Sequence, residues 1–192
     1  MEQLNGIQAL NFKSRNLWRR WLEKNHTKEK SVWLILHNRD SKTPGMKMDE
    51  AVEEALCFGW IDSKAVKRDA ESRYQYFSQR KPKSNWSSIN RARVERLTAA
   101  GLMTPAGQAL VDFARNNGTW EALVDVENAV IPEDLQKRFD KNKKALRNFQ
   151  AFSPSARRII IYWIHSAKRP ETRKKRIEET VRLAAQNLKA YP

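Results

Sequence analysis

Apolar residues recur along this chain in two rhythms. After Ser14, the positions Leu17, Trp18, Trp21 and Leu22 fall on one side of a 3.6-residue repeat and predict a helix that ends near Asn25 and His26. The run VWLIL, residues 32–36, is too short and too rich in β-branched and aromatic side chains for a helix, so it reads as a buried strand followed by the loop HNRDSKTPG. Asp49 is a candidate cap for a second helix reaching Phe58, with Val52, Ala55 and Leu56 on its apolar face and Gly59 as its stop. WIDSKAV and SRYQYFS then read as strands joined through KRDAE, with Arg68, Asp69 and Ala70 in the turn.

The second half has only the helical rhythm. QRKPKSNWSSIN feeds a helix from about Ser88 to Ala100, for which Ile89, Val94 and Leu97 are the expected core positions and Gly101 the break. Thr104 and Pro105 form a cap and first-turn pair for a helix running to about Asn116. Pro132, Pro154 and Pro170 each stand where a helix can begin, and the last helix places Ile177, Val181, Ala184 and Leu188 on one side. The elements predict an α+β protein: a small antiparallel sheet packed with helices, then a C-terminal helical module. We expect a mixed unit over residues 1–125 and a basic helical unit over 126–192.

Charge sharpens this division. The formal net charge is +15, but residues 101–134 carry one basic side chain, Arg115, against six acidic ones, whereas residues 135–192 carry sixteen basic against four acidic. An anionic small molecule, an acidic protein, nucleic acid and an anionic membrane surface are all compatible with such a surface. The single Cys57 excludes an intramolecular disulfide, no apolar run approaches the roughly 20 residues that span a bilayer, and the start MEQLNGIQALNFKSRN lacks a basic-then-apolar signal. These features lead us to expect a cytoplasmic protein without a transmembrane segment.

The segments NLWRRWLEKNH, AVEEALCFGWID, QRKPKSNWSSINRARVERLTAAGLMTPAG and IPEDLQKRF through ARRIIIYWIHSAKRPETRKKRIEETVRLAAQNL, taken in this order over nearly the whole chain, resemble the YdeI/OmpD-associated family, also labelled bacteriocin-protection proteins. The resemblance implies a role in bacteriocin protection or stress response and names no reaction. It draws attention to Trp60 and Asp62, to Arg80 and Lys81, to Ser84, Asn85, Trp86, Ser87 and Asn90, and to Thr172, Arg173 and Arg176. Where the family commonly reads GWIDG, this chain has Ser63, so a glycine-only backbone at that point would imply a different start to the hairpin. After the first strand, where the family tends toward paired lysines, the chain has His37, Asn38 and Arg39.

Two readings of this set stand side by side. Trp60 and Trp86 can wall a recess in which Arg80 meets an anion while Asp62, Ser84, Ser87 and Asn90 orient the ligand. Alternatively, the tryptophans anchor sheet and helix, the serines cap, and the charges face water. Catalysis has less support. Asp62 is a lone carboxylate without a partner acid or metal cluster, the histidines His26, His37 and His165 lack zinc-site spacing, and Cys57 sits in the apolar context ALCFGW. No glycine-rich phosphate loop or dinucleotide fingerprint occurs, so no cofactor and no catalytic residue is assigned. Arg173 and Arg176 are the candidates for nucleic-acid contact. We therefore expect a stress- or toxin-protection protein that binds an anionic ligand or partner, with a nucleic-acid-binding accessory protein and a small-molecule-modifying enzyme as alternatives.

Overall fold

The structure is a computed structural model that describes residues 2–190. The chain divides into two compact units, Met1–Glu121 and Ala122–Pro192. Its class is α+β, with a sheet and its helices in the first unit and a helical module in the second. In the first unit, strands β1 (Gln3–Leu4), β2 (Ile7–Leu10), β3 (Ser31–His37), β4 (Trp60–Lys67) and β5 (Ser72–Gln79) lie in the order β1-β2-β3-β5-β4. The β3–β5 and β4–β5 pairs are antiparallel as the sequence predicts, but β2 pairs with β3 in parallel. These two N-terminal strands were not foreseen. A two-residue QL and a four-residue IQAL are too short to declare a period, and they pair because Asn5 and Gly6, both at positive φ, turn the chain sharply between them.

The central strand is buried on both faces, which explains its unbroken apolar run. Val32, Leu34 and Leu36 enter the main core, while Trp33 and Ile35 join Ala9, Leu4, Ile7, Tyr74 and Tyr76 on the opposite face. That second face is finished by Lys64, whose ammonium lies 5.4 Å from the Trp33 ring and 5.3 Å from that of Tyr76. The pairing of β4 with β5 shifts register between Asp62 and Ala65, and the buried Gln75 amide donates to the carbonyls of Ser63 and Lys64 in this bulge. Among the described residues, Ser63 is not at positive φ, so this point of the hairpin does not require glycine.

Four helices pack on the sheet in this unit: α1 (Arg15–Asn25), α2 (Met48–Cys57), α3 (Ser88–Ala99) and α4 (Pro105–Asn116). Helix α2 is central, touching α1, β4, α3 and α4. Every residue from Ala51 to Cys57 is buried, including the charged Glu53 and Glu54. The two carboxylates are tolerated because each meets guanidinium groups. Glu54 accepts from Arg15 Nε and, at 2.7 Å, from Arg19; Glu53 accepts from Arg15 at 3.0 Å and from Arg96 at 2.8 Å. Burial alone would raise the Glu53 carboxyl, but the Arg96 and Arg15 guanidiniums outweigh it and hold that carboxyl below the ordinary glutamate value.

Several positions read as apolar stripe or cap lie elsewhere. Leu17, Ile89 and Leu188 are exposed, Ile89 at 64 %. Trp18 and Leu22 suffice to seat α1, Val94 and Leu97 seat α3, and Leu188 falls beyond the final helix, after Asn187 at positive φ. Asp49 is not the cap of α2. The cap position falls two residues earlier, at Lys47, with the Glu50 carboxylate accepting from the Lys47 N–H, and Asp49 pairs with Arg93 instead.

The second unit contains α5 (Val124–Glu127), α6 (Glu133–Asp140), α7 (Lys143–Ala151), α8 (Pro154–His165) and α9 (Pro170–Ala185). Its own core gathers Leu135, Phe139, Phe149, Ile160, Ile164 and Ile177, with the Phe139 and Phe149 rings 5.0 Å apart. The prolines mark starts as read: Pro154 and Pro170 open α8 and α9, and Pro132 immediately precedes α6. Asn142 and Ser153 accept the capping bonds of α7 and α8.

The C-terminal end of α2 meets the start of α4 without a spacer. Thr104 donates through its N–H and its hydroxyl to the Cys57 carbonyl, at 3.1 and 2.6 Å, and a Cβ on Gly107 would lie 2.3 Å from that same oxygen. Alanine is the better helix former by about 1 kcal/mol. The backbone collision nevertheless dominates, since overpacking at a rigid contact costs about 1–3 kcal/mol or more. Gly107→Ala should therefore lower the unfolding free energy by about 1–3 kcal/mol in chemical denaturation; a neutral or stabilising effect would contradict so close an approach.

Candidate functional site

The residues singled out around GWID and SNWSSIN take distinct places in the first unit. Trp60 opens β4 and is fully buried, its Nε1 donating to the His26 carbonyl at 3.1 Å and its ring set edge-on to Trp18 and Trp21. Trp86 lies just before α3, buried beside Trp120 with ring centroids 5.0 Å apart. Both indoles are thus held by protein neighbours. Ser87 caps α3 by accepting from the Asn90 N–H at 3.3 Å, the Asn90 side-chain oxygen accepts from Arg93, and Ser84 donates to the Lys81 carbonyl.

Arg80 is the unusual member of the set. It is 6 % exposed, its guanidinium stacks over Trp86 at 3.6 Å from the ring centroid, and it donates to the Asn85 carbonyl at 2.5 Å. Its Nε is buried with no hydrogen-bond partner among the described residues. Burial lowers this guanidinium to about 10, against the attraction of Asp62. Asp62 is half-buried on the face of β4 that carries Trp60, opposite Phe77. Burial raises its carboxyl above the ordinary aspartate value, while its own backbone N–H and the Arg93 and Arg80 charges pull the other way. The structure thus brings Asp62, Arg80, Arg93 and, through Arg93, Asn90 into one electrostatic neighbourhood, with Ser84 bonded outside it.

In the second unit, Arg173 and Arg176 hold the C-terminal end of α8. Arg173 grips Asp134 through two bonds of 2.6 and 2.9 Å and donates to the Ile164 carbonyl, and Arg176 donates to the Trp163 carbonyl and the Ser166 hydroxyl. Both guanidiniums therefore satisfy carbonyls that a helix end leaves open. Arg176 also lies over the Trp163 ring at 5.1 Å.

A groove of ≈ 510 Å³ runs beside this arginine, floored by Leu123 and Val126 on one side and by Ile159, Tyr162 and Trp163 of α8 on the other, with Arg158 and Arg176 among its polar neighbours. Ile159 and Tyr162 are 46 % and 53 % exposed, although α8 already buries Ile160, Ile161 and Ile164 in the core. This helix is apolar on two sides. Exposed apolar residues gathered in a concavity mark a surface made for contact. The sequence carried a sign of it: IIIYWI has more apolar positions than one buried stripe can use.

Comparison with known families divides the chain in a similar way. Residues 10–110 match a domain of unknown function (DUF8412), and residues 128–187 match the family described as bacteriocin-protection, YdeI or OmpD-associated. The resemblance to the latter family thus holds for the C-terminal region of about 60 residues, while the N-terminal region matches a separate domain. No curated protein and no solved structure matches the chain. Among the described residues no helix is long and apolar enough to cross a membrane, and no group of three or more histidine, cysteine and acidic side chains is placed to hold a metal ion.

The raised Asp62 carboxyl gives a signed expectation. A group protonated more readily in the folded state makes stability fall as pH rises from the ordinary aspartate value, about 4, through its raised one. Asp62→Asn removes that loss, so the variant should melt above the parent at pH 7, with the difference vanishing below about pH 4. A parent more stable than the variant at pH 7 would mean that Arg80 and Arg93 outweigh the burial.

Proposed function

Because the chain belongs to the DUF8412 family through residues 10–110 and carries a C-terminal unit similar to the bacteriocin-protection, YdeI or OmpD-associated family, we propose that it is a toxin- or stress-protection protein of the cytoplasm that acts by binding an acidic protein partner. The groove between α5 and α8 carries this reading. Its floor is apolar, and its rim carries Arg158 and Arg176 from the strongly basic 135–192 segment beside a single acidic side chain, Glu127. A partner segment with apolar side chains on one side and carboxylates beside them would bury the former on Ile159 and Tyr162 and set the latter near Arg158. Binding in this manner needs no nucleophile, proton relay or cofactor.

The charge of the unit steers such a partner more than it binds it. Arg173 is paired with Asp134 and Arg176 is engaged at the end of α8, so they are poorly disposed to follow a phosphate backbone. Arg158 is the more available rim cation, and its contribution should appear in association rate and salt dependence.

The test is protection itself. A bacterial host expressing the chain, challenged with a panel of bacteriocins, should survive at least tenfold better than one without it. Ile159→Asp/Tyr162→Asp should abolish that advantage while the melting temperature stays near the parent's, because both residues are already about half exposed and lie outside the core. Equal protection by this variant would rule out the groove, and no protection by the parent against any member of the panel would rule out the toxin-protection role.

A further inference from the structure

In the first unit, Arg39, Lys47 and Arg73 line a second cavity of ≈ 510 Å³, and none of the three forms an ion pair among the described residues. This sets them apart from Arg15, Arg19, Arg68, Arg93 and Arg96 of the same unit, each of which meets a carboxylate. No acidic side chain lines the cavity. It is enclosed by the end of β3, the start of β5 and the β3–α2 loop, and the loop is pinned to the hairpin. The Asn38 N–H donates to the Glu71 carbonyl at 2.7 Å, the Asn38 amide donates to the Ala70 carbonyl, and Ser41 Oγ donates to the Glu71 carboxylate at 3.1 Å.

His37 supplies a further observation. Its Nδ1 is buried and has no hydrogen-bond partner among the described residues, while its Nε2 lies 3.5 Å from the Asn11 amide nitrogen. Gly45 sits against the imidazole so closely that a Cβ there would be 3.1 Å from His37 Cδ2. A buried ring nitrogen left without a partner loses its hydration unless something else satisfies it.

We propose that this cavity is a binding site for a small phosphate monoester. Three cations, Arg39 and Lys47 from the β3–α2 loop and Arg73 from β5, suit a dianion with three peripheral oxygens, and Thr43 adds a hydroxyl group on the cavity wall, the Ser41 hydroxyl being committed to Glu71. A monocarboxylate would leave two of these cations without a counter-charge, and a dianion only one. Arginine's planar fork can take two phosphate oxygens at once, and the His37 ring lines the cavity, so a bound ligand changes its surroundings. Met46 and Met48 provide an apolar wall for a carbon skeleton, and the volume accommodates a compound of sugar-phosphate size. The site is independent of the groove in the second unit.

The full chain would be titrated calorimetrically with inorganic phosphate and ribose 5-phosphate, with succinate and a short single-stranded oligonucleotide alongside, while nitrogen NMR follows the His37 ring. Ribose 5-phosphate should bind more tightly than succinate, raise the melting temperature and shift the Nδ1 resonance. Arg39→Ala/Lys47→Ala should weaken it at least tenfold without lowering the melting temperature of the ligand-free protein, because both side chains are exposed. Arg73→Gln should weaken it from the opposite wall. The proposal is overturned if neither phosphate compound binds at millimolar concentration, if the variants bind as the parent does, or if the His37 resonance does not move. Succinate binding as tightly would overturn the phosphate assignment, and tighter binding of the oligonucleotide would point to nucleic acid instead.

Discussion

Two carboxylates in the middle of a buried helix set the terms for the N-terminal unit. Glu53 and Glu54 cannot remain charged inside a core of tryptophan, leucine and phenylalanine unless cations accompany them. Arg15 bridges both, Arg19 completes Glu54 and Arg96 completes Glu53, so α1 and α3 are fixed on either side of α2 by charge as well as by apolar contact. Such a clamp adds less net stability than its Coulomb attraction suggests, because all the groups give up water. Its sharper effect is on arrangement: a shift of α1 along α2 would leave a buried carboxylate unpaired.

The position of α2 decides the surroundings at its two ends. At its start, Lys47 and Met48 form part of the polar cavity that also receives Arg39, Arg73 and His37. At its finish, the Cys57 carbonyl takes both donors of Thr104, and the absence of a side chain at Gly107 lets α4 close on it. The unit's positive charge is thus spent unevenly. Arginines facing α2 are neutralised internally, and those around the β3–α2 loop are left to face a cavity.

Much of the fold is legible in the sequence where a local rule acts alone. The Arg68-Asp69-Ala70 turn, the Thr104-Pro105 start and the break at Gly101 need only turn and capping chemistry, and the structure places them there. Strands β1 and β2 are illegible because each is too short to show a period and because β2 takes its second partner from β3, more than twenty residues away. Ile89 and Leu188 mislead because helical spacing shows which residues share a side but not where the helix ends or which side is covered. The candidate sites are less legible still. Trp60 and Trp86 stand out by residue type yet are seated in the core, whereas the exposed Ile159 and Tyr162 are hidden in a run that reads as ordinary helix. Nothing in the spacing of Arg39, Lys47 and Arg73 shows that β-pairing and one loop bring them to a single cavity.

The clamp can be tested by removing its cations and then its charge. Arg15→Met/Arg19→Met keeps apolar volume but leaves Glu54 buried without a counter-ion, and breaking buried pairs in this way costs about 3–5 kcal/mol. Chemical denaturation at pH 7 should show a loss of that size, and adding Glu54→Gln to the double variant should recover more than about 1 kcal/mol by removing the stranded charge. A loss under about 1 kcal/mol, or no recovery on adding Glu54→Gln, would contradict the view that these carboxylates and their arginines hold the helices of the N-terminal unit in place.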